Sequence, residues 1–165
     1  MTKKNAGKMF EEDFFKSAKK EMFIYRLRDP ASSFNQNCNN CPHKVTRFSI
    51  KNICDFFAYK KGKLYLFELK SHKGKSIPFK AIVTSDKDKR LEDMVKANKW
   101  GVGSYVVVNF RDCENKTYAI SAYLVLEYIR LADRKSIPLE FVSKHGYLIK
   151  NNLIRVRYSY DLSRF

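Results

Sequence analysis

Apolar and polar residues alternate with helical spacing near the start of the chain and with strand spacing soon afterwards. Apolar side chains recur every three or four residues, which predicts a helix over residues 6 to 22, at Met9, Phe10, Phe14, Ala18 and Met22. Residues 23 to 28 alternate as a short strand that Asp29-Pro30 ends. Residues 29 to 46 are polar and too many for an ordinary turn, so we expect a functional loop.

Two apolar runs joined by Lys61-Gly62 predict a β-hairpin over residues 53 to 70. If Lys61-Gly62 is a two-residue loop, Asp55 faces Glu68 and their Cβ atoms are ~5 Å apart. Lys70 then shares a face with Glu68, because side chains alternate along a strand. A three-residue loop would instead make the two carboxylates diagonal neighbours.

The opposed carboxylates lie among large apolar side chains, namely Phe56, Phe57, Leu66, Phe67 and Leu69. Two like charges that face each other in a largely dry sheet are destabilising. A divalent cation would offset the repulsion, and Mg²⁺ favours carboxylate oxygens while it keeps water for chemistry. Lys70 would lie beside that water. The alternative is a structural Asp-Lys or Glu-Lys pair on an exposed strand face.

The remaining chain predicts a helix over 86 to 100, strands over 104 to 110 and 117 to 122, a helix over 123 to 132, and a closing hairpin or extended edge about Asn151-Asn152. This order predicts an α/β fold with one central mixed sheet flanked by helices, within a single domain of residues 1–165. The tetrapeptide Lys-Ser-Ile-Pro occurs at 75 to 78 and again at 135 to 138. Ser-X-Pro is ordinary before a helix, so no internal repeat is inferred.

The chain has 165 residues, a formal net charge of +16 and a pI near 9.7, which together favour a polyanionic partner. Nucleic acid is favoured over an anionic membrane, because the basic residues are dispersed and no basic amphipathic helix stands at a terminus. Candidate phosphate contacts are Lys3, Lys4, Lys73, Lys75, Lys80, Lys87, Lys89 and Arg90, and His72 follows the predicted strand closely enough to join them.

Cysteine use and the absence of a membrane-length apolar run or signal-peptide core suggest a cytoplasmic protein with reduced or metal-bound thiols. Cys38 and Cys41 have the two-residue spacing of a zinc half-site. No second such pair exists in the sequence, so a closed site would need Cys54, His43 or the same loop of a second subunit.

Taken together, these motifs resemble the PD-(D/E)XK nucleases, and specifically the RecU-type Holliday junction resolvases, with small phage-borne members as the nearest likeness. The resemblance runs from about Gly7 to Tyr123. It is carried by Gly7-Lys8-Met9-Phe10-Glu11, Asn52-Ile53-Cys54-Asp55, Glu68-Leu69-Lys70 and Ser76-Ile77-Pro78-Phe79.

The resemblance implies that Asp55 and Glu68 are metal ligands and that Lys70 orients or deprotonates the attacking water. Glu11 would hydrogen-bond a water on the metal, with Glu12 as its rival. The implied metal is Mg²⁺, for which Mn²⁺ can substitute. The chain departs from the family in two places: Lys89 and Arg90 occupy the region where a helical Gln is usual, and a Thr shortly before Asp55 is missing.

By the same resemblance, the protein is a homodimer that resolves branched DNA by paired nicks, in the host cytoplasm if a phage encodes it. Residues 29–50 take the place of the stalk that enters the junction, as a short stalk-like loop in which Phe34, Arg47 and Phe48 would contact nucleotides; a plain surface loop is the alternative. Two other functions remain open. One is a restriction or repair nuclease of the same superfamily, and the other is a non-catalytic basic DNA-binding protein.

Overall fold

Ten strands and five α-helices make up the part of the chain that the computed structural model describes, which is residues 5–27, 52–83 and 89–165. The strands are β1 Phe23–Arg26, β2 Phe56–Lys60, β3 Lys63–His72, β4 Ser76–Pro78, β5 Gly103–Phe110, β6 Lys116–Ser121, β7 Ser136–Pro138, β8 Tyr147–Ile149, β9 Asn151–Ile154 and β10 Arg157–Tyr160. The helices are α1 Ala6–Ala18, α2 Phe79–Ile82, α3 Arg90–Ala97, α4 Ala122–Leu131 and α5 Leu139–His145.

A six-stranded mixed sheet forms the centre, in the order β1-β2-β3-β5-β6-β8. β3 and β5 are parallel and the other neighbours in this sheet are antiparallel. A parallel pair needs a crossover connection, and the segment that carries α3 provides it. The predicted α/β class, with a central mixed sheet flanked by helices, is confirmed.

Strand alternation divides the apolar core between the two faces of the sheet. Leu66 and Val106 point to the side covered by α3 and α4, whereas Phe67 and Val107 point to the side covered by α1. Both central strands therefore carry apolar residues on both faces, as the unbroken apolar runs predicted. Glu68 alternates with Phe67 and lies on the α3 side.

The register of the central hairpin is as predicted. Lys60 pairs with Lys63 and Phe56 with Phe67, so Lys61-Gly62 is a two-residue loop. Lys61 has φ 49° and Gly62 has φ 80°, the positive values that this tight, twisted turn requires. Asp55 therefore directly precedes β2 at the level of Glu68.

Most element boundaries fall within a few residues of the predicted ones. α1 ends at Ala18 and not at residue 22, because the chain turns there before β1. α3 continues as a 3₁₀ turn over Asn98–Trp100 and stops at Gly101, whose φ is 78°. Residues 86–88 of the predicted helix, like the loop of residues 29–50, lie outside the described residues.

The C-terminal hairpin turns at a different place from the predicted Asn151-Asn152. Ile154 pairs with Arg157, so the turn is Arg155-Val156, and Arg155 takes φ 60°. Asn151 is held in a strand because its Nδ2 donates to the Asn115 carbonyl at 2.8 Å. The predicted turn position was wrong because a contact distant in sequence outweighed the local turn preference of asparagine. β8, the last strand of the central sheet, agrees with the alternative of an extended edge.

The two Lys-Ser-Ile-Pro segments form a small antiparallel sheet with each other. Ile77 of β4 lies opposite Ile137 of β7, and each side chain is only 1% exposed. The Phe79 amide donates to the Lys135 carbonyl at 3.0 Å, and the Leu139 amide donates to the Lys75 carbonyl at 2.9 Å. Both segments precede a helix, as predicted, but their mutual pairing was not foreseen.

Candidate active site

Asp55 is held by backbone hydrogen bonds on two sides. Its amide donates to the Phe67 carbonyl at 3.1 Å, and its carbonyl accepts from the Leu27 amide at 2.9 Å. Its Oδ2 accepts from the Leu69 amide at 2.7 Å. These bonds fix the carboxylate beside the Glu68-Leu69-Lys70 segment, as the predicted register of the hairpin requires.

Glu68 is a buried carboxylate whose two oxygens have different surroundings. The residue is 4% exposed. Its Oε1 lies 2.7 Å from Lys70 Nζ and 3.3 Å from Arg90 Nη1. Its Oε2 is buried and has no hydrogen-bond partner among the described residues. One oxygen therefore carries both cationic contacts, and the other remains available to a ligand.

The environment of Glu68 disfavours its charged form. Burial raises the pKa of Glu68 above its ordinary value, and the nearby negative charge of Asp55 raises it further. Lys70 and Arg90 lower the pKa in turn, but burial and Asp55 have the larger effect. Without a cation between them, the two carboxylates are thus a source of instability.

The donor set suits a hard divalent cation. An orphaned, buried carboxylate oxygen on Glu68, with Asp55 beside it, is the kind of ligand that Mg²⁺ takes, usually from one or two carboxylates plus water and substrate phosphate. The described residues contain no cluster of three or more His, Cys, Asp and Glu side chains that could hold a metal ion. Water and substrate phosphate are the further ligands that Mg²⁺ usually takes beside one or two carboxylates.

We expect Glu68→Gln to raise the melting temperature of the metal-free protein at neutral pH. The raised pKa of Glu68 means that this side chain costs stability as pH rises above the ordinary glutamate value. The difference between variant and wild type should shrink as pH falls toward 4, where the wild-type carboxyl group becomes protonated in both states. Thermal melting in EDTA across this pH range measures it, and a variant less stable than wild type at pH 7 would contradict it.

The two neighbouring acids in the middle of α1 have different partners. Glu11 accepts from Arg26 Nη2 at 2.5 Å, and Arg26 lies opposite Phe56, the residue after Asp55. Glu12 accepts from Arg157 Nη2 at 2.8 Å on the C-terminal hairpin. Glu11 therefore reaches the strand beside Asp55, whereas Glu12 helps to attach β10 to α1.

The predicted phosphate contacts within the described residues lie at the end of β3 and in the segment that follows it. His72 is half-buried at the end of β3, and the exposed residues are Lys73, Lys75, Lys80 and Lys89. Arg90, predicted with them, is instead brought into the site by its contact with Glu68. Sequence reasoning placed Arg90 at the right helix but missed this contact. Lys3, Lys4, Phe34, Arg47, Phe48 and Lys87 lie outside the described residues.

Cys54, which the sequence offers as a further zinc ligand, lies in the core. The residue is 2% exposed, and its Sγ donates to the Phe56 carbonyl at 3.1 Å. Burial, with Glu68 and Asp55 nearby, raises the pKa of the thiol to about 12 in the metal-free protein. Cys38, Cys41 and His43 lie outside the described residues.

Comparison with known proteins gives one family and two named relatives. The family model "RecU: Recombination protein U" matches residues 7–162. The SPbeta prophage-derived uncharacterized protein YotM of Bacillus subtilis is 29% identical over 174 residues, which cover 97% of this chain and 84% of YotM. The Holliday junction resolvase RecU of Streptococcus gordonii is 28% identical over 109 residues, which cover 65% of this chain but only 52% of that protein.

A solved structure shares the fold. Hjc, a Holliday junction resolvase of Archaeoglobus fulgidus, matches with a TM-score of 0.51 over 86% of this chain and 93% of its own. At 13% sequence identity this likeness concerns the fold alone. Within the part of the chain that the structure describes, no helix is both long and apolar enough to cross a membrane.

Proposed function

The chain belongs to the RecU family, and we propose that it is a Mg²⁺-dependent endonuclease that resolves four-way DNA junctions. Residues 1–165 would act as a single nuclease domain in the cytoplasm, that of the host if a phage encodes it. The observation that carries the proposal is the grouping of Asp55, Glu68 and Lys70 on one hairpin, with a buried carboxylate oxygen left without a partner among the described residues.

Asp55 and Glu68 are the residues that would hold the metal. When bound, a divalent metal stabilises charge on the phosphate and lowers the pKa of water. The Leu69 amide keeps the Asp55 carboxylate in place, so that this carboxylate can serve the metal without loss of position. Mn²⁺ presents the same preference for oxygen ligands and would substitute.

Lys70 would orient or deprotonate the attacking water. Its Nζ already lies at the carboxylate of Glu68, 2.7 Å from Oε1, so the ammonium group is at the level of the metal ligands. Glu11 would orient a further water from the side of β1. Its contact with Arg26, the last residue of β1, holds it on that side. Neither side chain has to enter the metal's ligand set for these roles.

The experiment that tests the function compares four-way junction, linear duplex, nicked and flap DNA as substrates, with Mg²⁺, Mn²⁺ or EDTA. We expect paired nicks in the four-way junction with either metal and none in EDTA. Preferred cleavage of linear duplex would favour a restriction or repair nuclease. Binding without cleavage in every metal would favour a non-catalytic DNA-binding protein.

We also predict a homodimer on the junction, because two identical subunits related by a twofold axis present identical sites to symmetric strands. Sedimentation at micromolar concentration, with and without junction DNA, measures the assembly. A monomer under both conditions would remove the geometry required for paired nicks.

A further inference from the structure

At the candidate active site, Arg90 is the second cation, beside Lys70, that contacts the same carboxylate oxygen of Glu68. The two cations approach Glu68 Oε1 from different elements: Lys70 lies on β3 with Glu68, whereas Arg90 is the first residue of α3. The side chains are well shielded, with exposed fractions of 20% for Lys70 and 26% for Arg90. Loss of one partner from a shielded contact of this kind should cost more stability than loss of a surface ion pair.

The backbone of Arg90 is fixed independently of the hairpin. Leu91 and Met94 anchor α3 in the core, with exposures of 4% and 1%. Ser104 Oγ also donates to the Met94 carbonyl at 2.7 Å. The guanidinium group thus extends from a rigid helix, and a guanidinium, being planar and always charged, loses little freedom when it holds a carboxylate.

Lys70 cannot serve two tasks at once. If it were the sole cation at Glu68, its movement toward a water or a phosphate would leave a buried carboxylate uncompensated, which is strongly unfavourable. Arg90 removes this conflict, because Glu68 keeps a counter-ion and a hydrogen-bond donor at Oε1 when Lys70 leaves. Oε2 also keeps its direction, since the carboxylate is still held through its other oxygen.

We propose that Arg90 is a positioning residue that holds Glu68 through Oε1, so that Oε2 is presented to the metal and Lys70 is released for the reaction. The proposal rests on the proposed nuclease function for its second half, the release of Lys70. Its first half, the support of Glu68, concerns the metal-free protein. The role differs from a phosphate contact, which would act on DNA affinity and not on Glu68.

The first test is a double-mutant cycle on the metal-free protein, measured by thermal melting in EDTA at neutral pH. Arg90→Ala should lower the melting temperature by about 2–4 °C, the shift expected for a chain of this size when about 1 kcal/mol is lost. In the Glu68→Gln background the same substitution should change it by less than about 1 °C, because no buried charge remains to compensate. An equal loss in both backgrounds would overturn the proposal, since it would show a packing role alone.

The second test separates positioning from DNA contact. With Mg²⁺ and saturating junction, we expect Arg90→Ala to lower kcat by about tenfold to a hundredfold and the junction Kd, measured in EDTA, to change by less than about threefold. Arg90→Lys should recover part of the rate because it keeps the charge, and Arg90→Gln, which is shorter and has no charge, should recover less. A weaker Kd with unchanged kcat would identify a phosphate contact and overturn the proposal.

Arg130→Ala is the matched control. Arg130 lies on α4 and contacts Glu92 of α3 at 3.0 Å, but both side chains are exposed and neither contacts Glu68. Its loss should leave kcat unchanged, and it should change the melting temperature equally in the wild-type and Glu68→Gln backgrounds.

The two hypotheses can fail separately. If the wild type nicks no DNA while the double-mutant cycle shows coupling between Arg90 and Glu68, the nuclease function fails and the support of Glu68 by Arg90 stands. If it nicks junctions without the coupling, Arg90 has no such role.

Discussion

Glu68→Gln and Asp55→Asn should each abolish nicking of a four-way junction while junction binding is retained. Each substitution removes one negative charge from the proposed metal ligands and nearly preserves the shape of the side chain. Loss of a single preorganised electrostatic group commonly costs about 10²- to 10³-fold in rate, and a metal-ligand charge should cost at least as much. The amide group that replaces either carboxylate keeps a hydrogen-bonding oxygen, so neither the Leu69 contact nor the fold requires the charge.

Glu92→Gln is the control for this experiment. Glu92 is on the neighbouring helix α3 and pairs with Arg130, but its side chain is 40% exposed. We expect wild-type nicking from it. Rates are measured under single-turnover conditions in Mg²⁺, with junction binding measured separately in EDTA. Wild-type nicking by either the Glu68 or the Asp55 variant would exclude that residue from the active site.

The central hairpin shows why part of this site was predictable. Its register depends on a two-residue loop and on strand alternation, both of which are local, so Asp55 and Glu68 were placed together from the sequence. The contact of Lys70 with Glu68 follows from the same alternation. The family and the fold class could also be predicted from the sequence, because the acidic and basic residues of the Asp55 and Glu68-Leu69-Lys70 motifs lie on adjacent elements.

Features that depend on distant residues were not predictable in this way. Arg90 was assigned to DNA, since nothing in the helix sequence shows that its guanidinium turns back to Glu68, 22 residues earlier. The pairing of Ile77 with Ile137 joins segments that are far apart in sequence. The C-terminal turn moved to Arg155-Val156 because Asn151 is bound by Asn115. Each of these features is decided by a contact between residues distant in sequence and not by local preference.

Junction affinity should fall steeply with salt. The formal charge of +16 and the exposed lysines that follow β3 predict binding dominated by phosphate contacts and counterion release. A protein that makes about six to ten such contacts loses about 10³- to 10⁵-fold in affinity between 50 and 200 mM salt. Titration of a labelled junction in EDTA over this range gives the slope, and changing the sequence of the arms should leave it the same.

Single substitutions then locate the contacts. Lys73→Ala and Lys75→Ala should each reduce the slope of log affinity against log salt by about 0.9, the value for one phosphate contact on duplex DNA. Lys96→Ala is the matched control, because Lys96 Nζ lies 2.7 Å from Asp93 Oδ1 and its charge is already paired on the protein. We expect the Lys96 variant to keep the wild-type slope. A flat salt dependence of the wild type would contradict phosphate-dominated binding. If all three variants kept the wild-type slope, the DNA would have to bind elsewhere on the surface.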